Sequence, residues 1–274
     1  MVMPLGDEQP TKIIPVVNYA IIALNVLVFV VQQSQPEAFT IAYSATPYEI
    51  THNRDIEKPV VFNREVAVQD ATGRVQLRPE EQTIPQAAVP FPVWLTLLTS
   101  MFMHGGFAHI AGNMLYLWIF GDNVEEVLGR VRYVLVYLSC GLSASVAHIA
   151  LAPDSLIPSL GASGAIAGVM GMYVIWFPQN RVRVLALRTI MWMPALLVIG
   201  LWVVLQLVLG IGDLSNAGKQ GGVAYAAHIG GAAAGILFGL VYRDRARALK
   251  AERPSDLGWA PPRYRDQYTG FPYR

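Results

Sequence analysis

Gly161-Ala162-Ser163-Gly164 opens an apolar, small-residue segment, 165–177, after a loop containing Pro153 and Pro158. A serine placed there sits on the first turn of a helix. Free backbone N–H groups and the positive end of the helix dipole lie beside it. Glycines on both sides, Gly161 and Gly164, let another backbone or a substrate approach closely. That setting suits a nucleophile facing an oxyanion. The same four residues also read as a capped helix start with glycines for packing.

A hydroxyl becomes a useful nucleophile when a histidine within hydrogen-bond reach takes its proton. His228 lies in Ala226-Ala227-His228-Ile229-Gly230-Gly231, inside another apolar run. Gly231, Gly235 and Gly239 then recur every four residues, a stripe that permits close helix contact. Gly164, Gly168 and Gly171 form a similar stripe after Ser163. Packing the two stripes together would let Ser163 and His228 meet. His109 and Asn113, four apart, share one face of a further helix. With the Ser163 backbone N–H, they are candidate donors to an oxyanion. No Asp or Glu lies near Ser163 or His228, so a dyad is expected rather than a carboxylate triad. His109 and Asn113 also read as interhelical hydrogen-bonding groups, and His104, His109, His148 and His228 as a metal set. No His-Glu-x-x-His motif or cysteine pair accompanies them, so no metal and no cofactor are expected.

These residues must be held by the elements around them, and composition says in which solvent. The 274-residue chain is 54% hydrophobic and only 14% charged, against about 25% charged in soluble domains. Mean hydropathy is +0.40. The expectation is a polytopic, all-α membrane protein. The net charge of +1 leaves no basic field for nucleic acid. Cys140 is the single cysteine and cannot form an intrachain disulfide.

Six apolar segments are expected to span: about 16–31, 107–120, 131–152, a short Gly-rich fourth at 163–177, 190–211 and 223–242. A lead-in, 93–103, precedes His104-Gly105-Gly106. The first run carries no cleavage pattern before Gln32, so it is expected to be retained, with Asn25 facing other helices. The organisation is therefore a cytoplasmic N-terminal segment, 1–14, a membrane domain, 15–243, and a mobile Arg/Pro-rich cytoplasmic tail, 244–274. Within the membrane domain, 34–92 is a long extramembrane loop with a hairpin near 64–77, turning at Asp70-Ala71-Thr72-Gly73. Lys12, Arg130, Arg132, Arg181, Arg183, Arg188 and the tail cations fall on the side of the termini. The short loops opposite carry only Lys219, which puts both termini in the cytoplasm. Ser163 then lies toward the outer side.

The pieces His104-Gly-Gly-Phe-Ala-His109-Ile-Ala-Gly-Asn113, Gly161-Ala-Ser163-Gly164 and Ala227-His228-Ile-Gly-Gly231 together resemble the rhomboid intramembrane serine proteases, in family order, over roughly residues 15 to 243. The resemblance implies a six-helix rhomboid-like bundle with Ser163 as nucleophile and His228 as base. Asn113 and His109 would line the oxyanion hole and His104 would support the site. It further implies a water-filled cavity open to the outer side and substrates that are transmembrane helices. Two positions depart from the family pattern. Trp94 is followed by Leu95 rather than arginine, and Ala167 stands where some members have a tyrosine packed on the histidine. What orients His228 is left open.

The expected function is intramembrane endoproteolysis of membrane proteins, with the bilayer and transmembrane substrates as partners. The alternative is a rhomboid-like protein that binds membrane clients without cutting them. Six spans with no extra helix resemble a bacterial inner-membrane protein.

Overall fold

A computed structural model of the chain describes residues 2–8, 11–69, 75–186, 188–215 and 223–251. In chain order the elements begin with strand β1 (Val2–Asp7) and helix α1 (Val16–Gln33). The long loop carries α2 (Glu37–Ala42), α3 (Pro47–His52), β2 (Val60–Gln69) and β3 (Val75–Ile84). Then follow α4 (Thr96–Thr99), α5 (Phe107–Leu128), α6 (Arg130–Leu151) and α7 (Ser163–Trp176). Last come β4 (Arg181–Ala186), β5 (Thr189–Pro194), α8 (Ala195–Ser215), α9 (Val223–Val241) and α10 (Arg243–Ala251).

The solvent of this fold can be read from α1. Its buried residues are Asn18, Asn25, Phe29 and Gln32, while Leu24, Leu27 and Val30 are exposed. Polar groups point inward and aliphatic ones outward, the arrangement a helix adopts when its surroundings are lipid. Asn18 and Gln32 pair with other elements, and Asn25 Nδ2 donates back to the Ile21 carbonyl of its own helix. Asn18 Nδ2 donates to the Leu117 carbonyl, and Tyr133 Oη donates to Asn18 Oδ1 at 2.7 Å. The Glu125 carboxylate accepts from the backbone N–H groups of Val17 and Asn18, capping the helix N-terminus that dipole and orphan donors make anion-seeking. Asn18 and Glu125 thus bind α1 to α5 and α6. Among the described residues, α1 and α6 are long and apolar enough to cross a membrane by themselves. α9 and α10, bent by 58°, qualify as a third taken together.

At the centre lies α7, the element with the most completely buried surface. It packs on α9, α6 and α5. With 14 residues it is roughly 21 Å long, shorter than the hydrocarbon core. Its glycines meet those of α9 backbone to backbone. A Cβ on Gly231 would collide with the Gly164 carbonyl, and one on Gly235 with the Gly168 carbonyl. On the adjoining face of α9, Gly230 lies against Ala147 and the Ser143 carbonyl of α6. The two glycine stripes are therefore the contact between the helices.

Four expectations change. The chain is mostly helical, but not all-α. β1, β4 and β5 form an antiparallel sheet in that order, built on the alternation Arg181-Val182-Arg183-Val184, whose valines are buried. Residues 190–194, expected to start a spanning helix, are strand. They pair with Arg181–Leu185, and α8 begins only after Pro194, a residue suited to a helix's first turn and not to its interior. α5 continues past 120 to Leu128, because Asn123, Glu125 and Glu126 find protein partners. Residues 243–251 are the helix α10, docked by Lys250 Nζ on the Trp176 carbonyl and Arg245 on the Val127 carbonyl, rather than mobile tail. Residues 252–274 lie outside the described residues. In the long loop, β2 and β3 pair antiparallel from Val60↔Ile84 to Gln69↔Val75; the turn 70–74 lies outside the described residues. The loop is tied to the segment before Ser163 by Ala45↔Ser159 pairing, by Tyr48 N–H to the Ser155 carbonyl, and by Gln86 to the Leu156 carbonyl.

Two outcomes follow from this packing. Gly235→Leu should separate α7 from α9 and lower the thermal unfolding midpoint in detergent by several degrees, since overpacking costs about 1–3 kcal/mol or more. Asp7 ends β1 and accepts hydrogen bonds from Tyr173 Oη at 2.5 Å and Asn123 Nδ2 at 3.1 Å. Burial pushes its carboxyl up from the usual range to about 7. A carboxyl raised in the folded state stabilises below its unfolded value and loses that contribution as pH rises through the folded one. Relative to Asp7→Asn, the parent's unfolding midpoint should therefore fall as pH goes from about 4 to above 7, and a pH-independent difference would refute it.

Candidate active site

Ser163 is the first residue of α7, and its side chain makes no capping bond to the helix it starts. Its hydroxyl lies instead 2.8 Å from Nε2 of His228, reached across the α7–α9 glycine contact. The two residues sit toward the N-terminal ends of helices that run parallel, Gly164 against Gly231, Gly168 against Gly235 and Ile175 against Gly239, so backbone proximity at Gly164 and Gly231 places the side chains within one hydrogen bond. Gly161, two residues before the serine, has φ +124°, a conformation L side chains rarely adopt. A Cβ there would stand 2.9 Å from Cε1 and Nε2 of His109. Its N–H donates to the Ser100 carbonyl at 2.8 Å, which fixes the loop entering α7.

His109 and Asn113 are on one face of α5 and line the same cavity as Ser163 and His228. The cavity measures about 600 Å³ and lies among α5, α7 and α8, with Tyr116, Met170 and Val198 on its apolar walls. The Gly105 N–H donates to Nδ1 of His109 at 3.3 Å. That contact leaves the proton of neutral His109 on Nε2, the nitrogen beside Gly161. Asn113 is buried and its Nδ2 has no partner among the described residues. Two side-chain donors are therefore present in the cavity without an acceptor bound to them. His104 does not reach the cavity. It is fully buried behind His109, ring to ring at 5.2 Å, and Gln32 of α1 pairs with its backbone N–H and carbonyl. Among the described residues, no three His, Cys, Asp or Glu side chains gather as a metal site requires.

Sequence reasoning missed two residues, both from α8. Gln206 is buried, and its Oε1 lies 2.7 Å from Nδ1 of His228. The Trp202 ring lies 5.4 Å from the imidazole, inclined at 45°. Position 167 is a buried alanine in the α7 core, so the aromatic neighbour of this histidine comes from α8. An amide inside a run as apolar as 195–208 was the available signal, because polar groups in spanning helices are costly to retain.

The fold is that of a mostly helical integral membrane protein carrying a hydrogen-bonded serine–histidine pair beside a largely apolar cavity. Residues 92–245, more than half of the chain, match the Rhomboid domain, and the chain belongs to the rhomboid family. Its relatives include the rhomboid protease GluP of Bacillus subtilis, 36% identical over 153 residues. That match covers 54% of this chain and 26% of the relative. The mitochondrial rhomboid protein 1 of Saccharomyces cerevisiae is 31% identical over 166 residues, 57% of this chain and 46% of the relative. The presenilin-associated rhomboid-like protein of Mus musculus mitochondria is 38% identical over 93 residues, 33% of this chain and 25% of the relative. The chain thus spans less than half the length of these relatives.

Gly161→Ala tests the loop geometry. It should cost on the order of 1–3 kcal/mol in strain and push His109 aside. Labelling of the protein by a fluorophosphonate should fall more than about tenfold at a temperature where circular dichroism still reports folded helix.

Proposed function

We propose that this chain is an intramembrane serine endopeptidase that hydrolyses peptide bonds in or near transmembrane segments of membrane proteins. The observation that carries the reading is the 2.8 Å contact between Ser163 Oγ and His228 Nε2 at the edge of a cavity that also holds two unoccupied donors. Ser163 Oγ attacks the scissile carbonyl carbon as Nε2 takes the hydroxyl proton. The carbonyl oxygen becomes an oxyanion and accepts hydrogen bonds from Asn113 Nδ2, from the Nε2–H of His109 and from the Ser163 backbone N–H, with the helix dipole behind it. Collapse of the intermediate breaks the C–N bond, and the imidazolium returns its proton to the leaving amine. Water then hydrolyses the acyl-enzyme by the same steps in reverse roles.

The frame for this chemistry in this reading is a bundle of six helices, α1, α5, α6, α7, α8 and α9, with both termini in the cytoplasm, an orientation that the loop cations support. Residues 34–92 then lie outside, and α7 begins below the outer surface because it is too short to span. The substrate helix enters the mostly apolar cavity between α5 and α8. The membrane is a bacterial inner membrane in this reading. Client binding without cleavage is the competing function, and it needs neither the Ser163 contact nor free donors.

Purified protein in detergent with a transmembrane-helix substrate provides the test. Ser163→Ala and His228→Ala should each abolish cleavage and fluorophosphonate labelling, while Asn113→Ala should lower kcat by about 10²–10³ with little change in KM. Rates of the parent should rise with pH as His228 becomes neutral. Cleavage that survives Ser163→Ala would sink the assignment.

A further inference from the structure

Among the described side chains of α8, residues 195–208, Gln206 is the only polar one apart from the Trp202 indole. It is buried in the wall of the cavity, where an unpaired amide would be costly to desolvate. Its partner is the imidazole that faces Ser163. Oε1 of Gln206 and Nδ1 of His228 are 2.7 Å apart, and on the other side of the ring Nε2 and Ser163 Oγ are 2.8 Å apart. A neutral imidazole has one N–H and one lone pair. With Oε1 as acceptor, the proton sits on Nδ1 and the lone pair of Nε2 faces the serine. That is the tautomer able to take the hydroxyl proton. The reverse tautomer would donate from Nε2 to Oγ and could not act as base. Trp202, one turn before Gln206 on α8, flanks the same ring at 5.4 Å. One face of α8 therefore contacts both the edge and the side of His228. Among the described residues, His109 on α5 is the titratable group whose charge acts on His228, and no carboxylate is hydrogen-bonded to the ring.

We propose that Gln206 is the positioning residue of the site, holding His228 as the Nδ1–H tautomer with Nε2 directed at Ser163. The inference rests on the serine-protease reading for its consequence in catalysis. When Nε2 takes the serine proton, the imidazolium still donates Nδ1–H to Oε1, so the contact persists through acylation and deacylation. A neutral amide orients the ring without holding a buried carboxylate charge beside it.

Three measurements on the full chain in detergent decide it. Gln206→Leu removes the acceptor at similar volume. It should lower the maximal rate of fluorophosphonate labelling at least about tenfold, with half-saturation within about twofold. A maximal rate within about twofold of the parent overturns the proposal. Gln206→Glu supplies an anionic acceptor, which favours the imidazolium. It should move the acid limb of the labelling profile up by about 1 pH unit or more. An unmoved limb overturns the proposal, and this holds even where the leucine variant fails to fold. Nitrogen-15 NMR of selectively labelled histidine should show His228 protonated on Nδ1 and bare on Nε2 in the parent; the opposite tautomer overturns the proposal. A parent that neither labels nor cleaves refutes the protease reading, and the tautomer then decides the role of Gln206 independently.

Discussion

The contact between α7 and α9 is backbone on backbone. Gly231 lies on the Gly164 carbonyl, Gly235 on the Gly168 carbonyl, and Gly171 beneath the Ala232 carbonyl. In lipid, burying apolar surface gives no net drive for two helices to associate, because the hydrocarbon outside is as apolar as the side chains. What remains is close packing, and only residues without a side chain allow the approach seen here. That approach fixes the distance and depth of Ser163 and His228, which sit beside the first pair of contacting glycines. Gly230 on the adjoining face of α9 lies against α6, so α9 is packed closely against two helices and has little freedom to slide.

Around this contact the chain places polar groups where protein partners exist and aliphatic groups where lipid is. Glu125 illustrates the rule. A carboxylate in the last turn of α5 finds the N-terminal N–H groups of α1 and stays fully buried. Gln32 closes α1 onto the backbone of His104, which in turn backs His109. The long loop is part of this support rather than an appendage. Its pairing with Ser159 and its contacts to Ser155 and Leu156 hold the strap that leads into Gly161. The His109 side of the cavity is thus braced from α1 through His104, and the Ser163 side from the loop.

Much of the helical framework was legible in the sequence. α6, α7 and α9 begin and end within a residue or so of the apolar runs. What escaped was short-range and polar. The β4 alternation covers only a few residues, and its arginines read as a charged loop because the partner strand, β1, lies far away at the N-terminal end of the chain. Residues 190–194 are as apolar as a helix start, and only pairing with β4 makes them strand. α10 looked like solvated tail because its anchors, the Trp176 and Val127 carbonyls, are invisible from its own composition.

The sequence by itself determined the inventory: a serine between glycines, a histidine on a glycine-striped helix, a His/Asn face four residues apart, and apolar runs to carry them. These are local patterns, and helix periodicity is enough to read them. Only the tertiary structure decided how the imidazole is held. Gln206 is 22 residues from His228 in the chain and on a different helix, and the azimuth at which α8 presents it depends on the packing of α7, α8 and α9 together. A side-chain hydrogen bond of 2.7 Å is set by the relative rotation of two helices, and no one-dimensional pattern encodes that rotation.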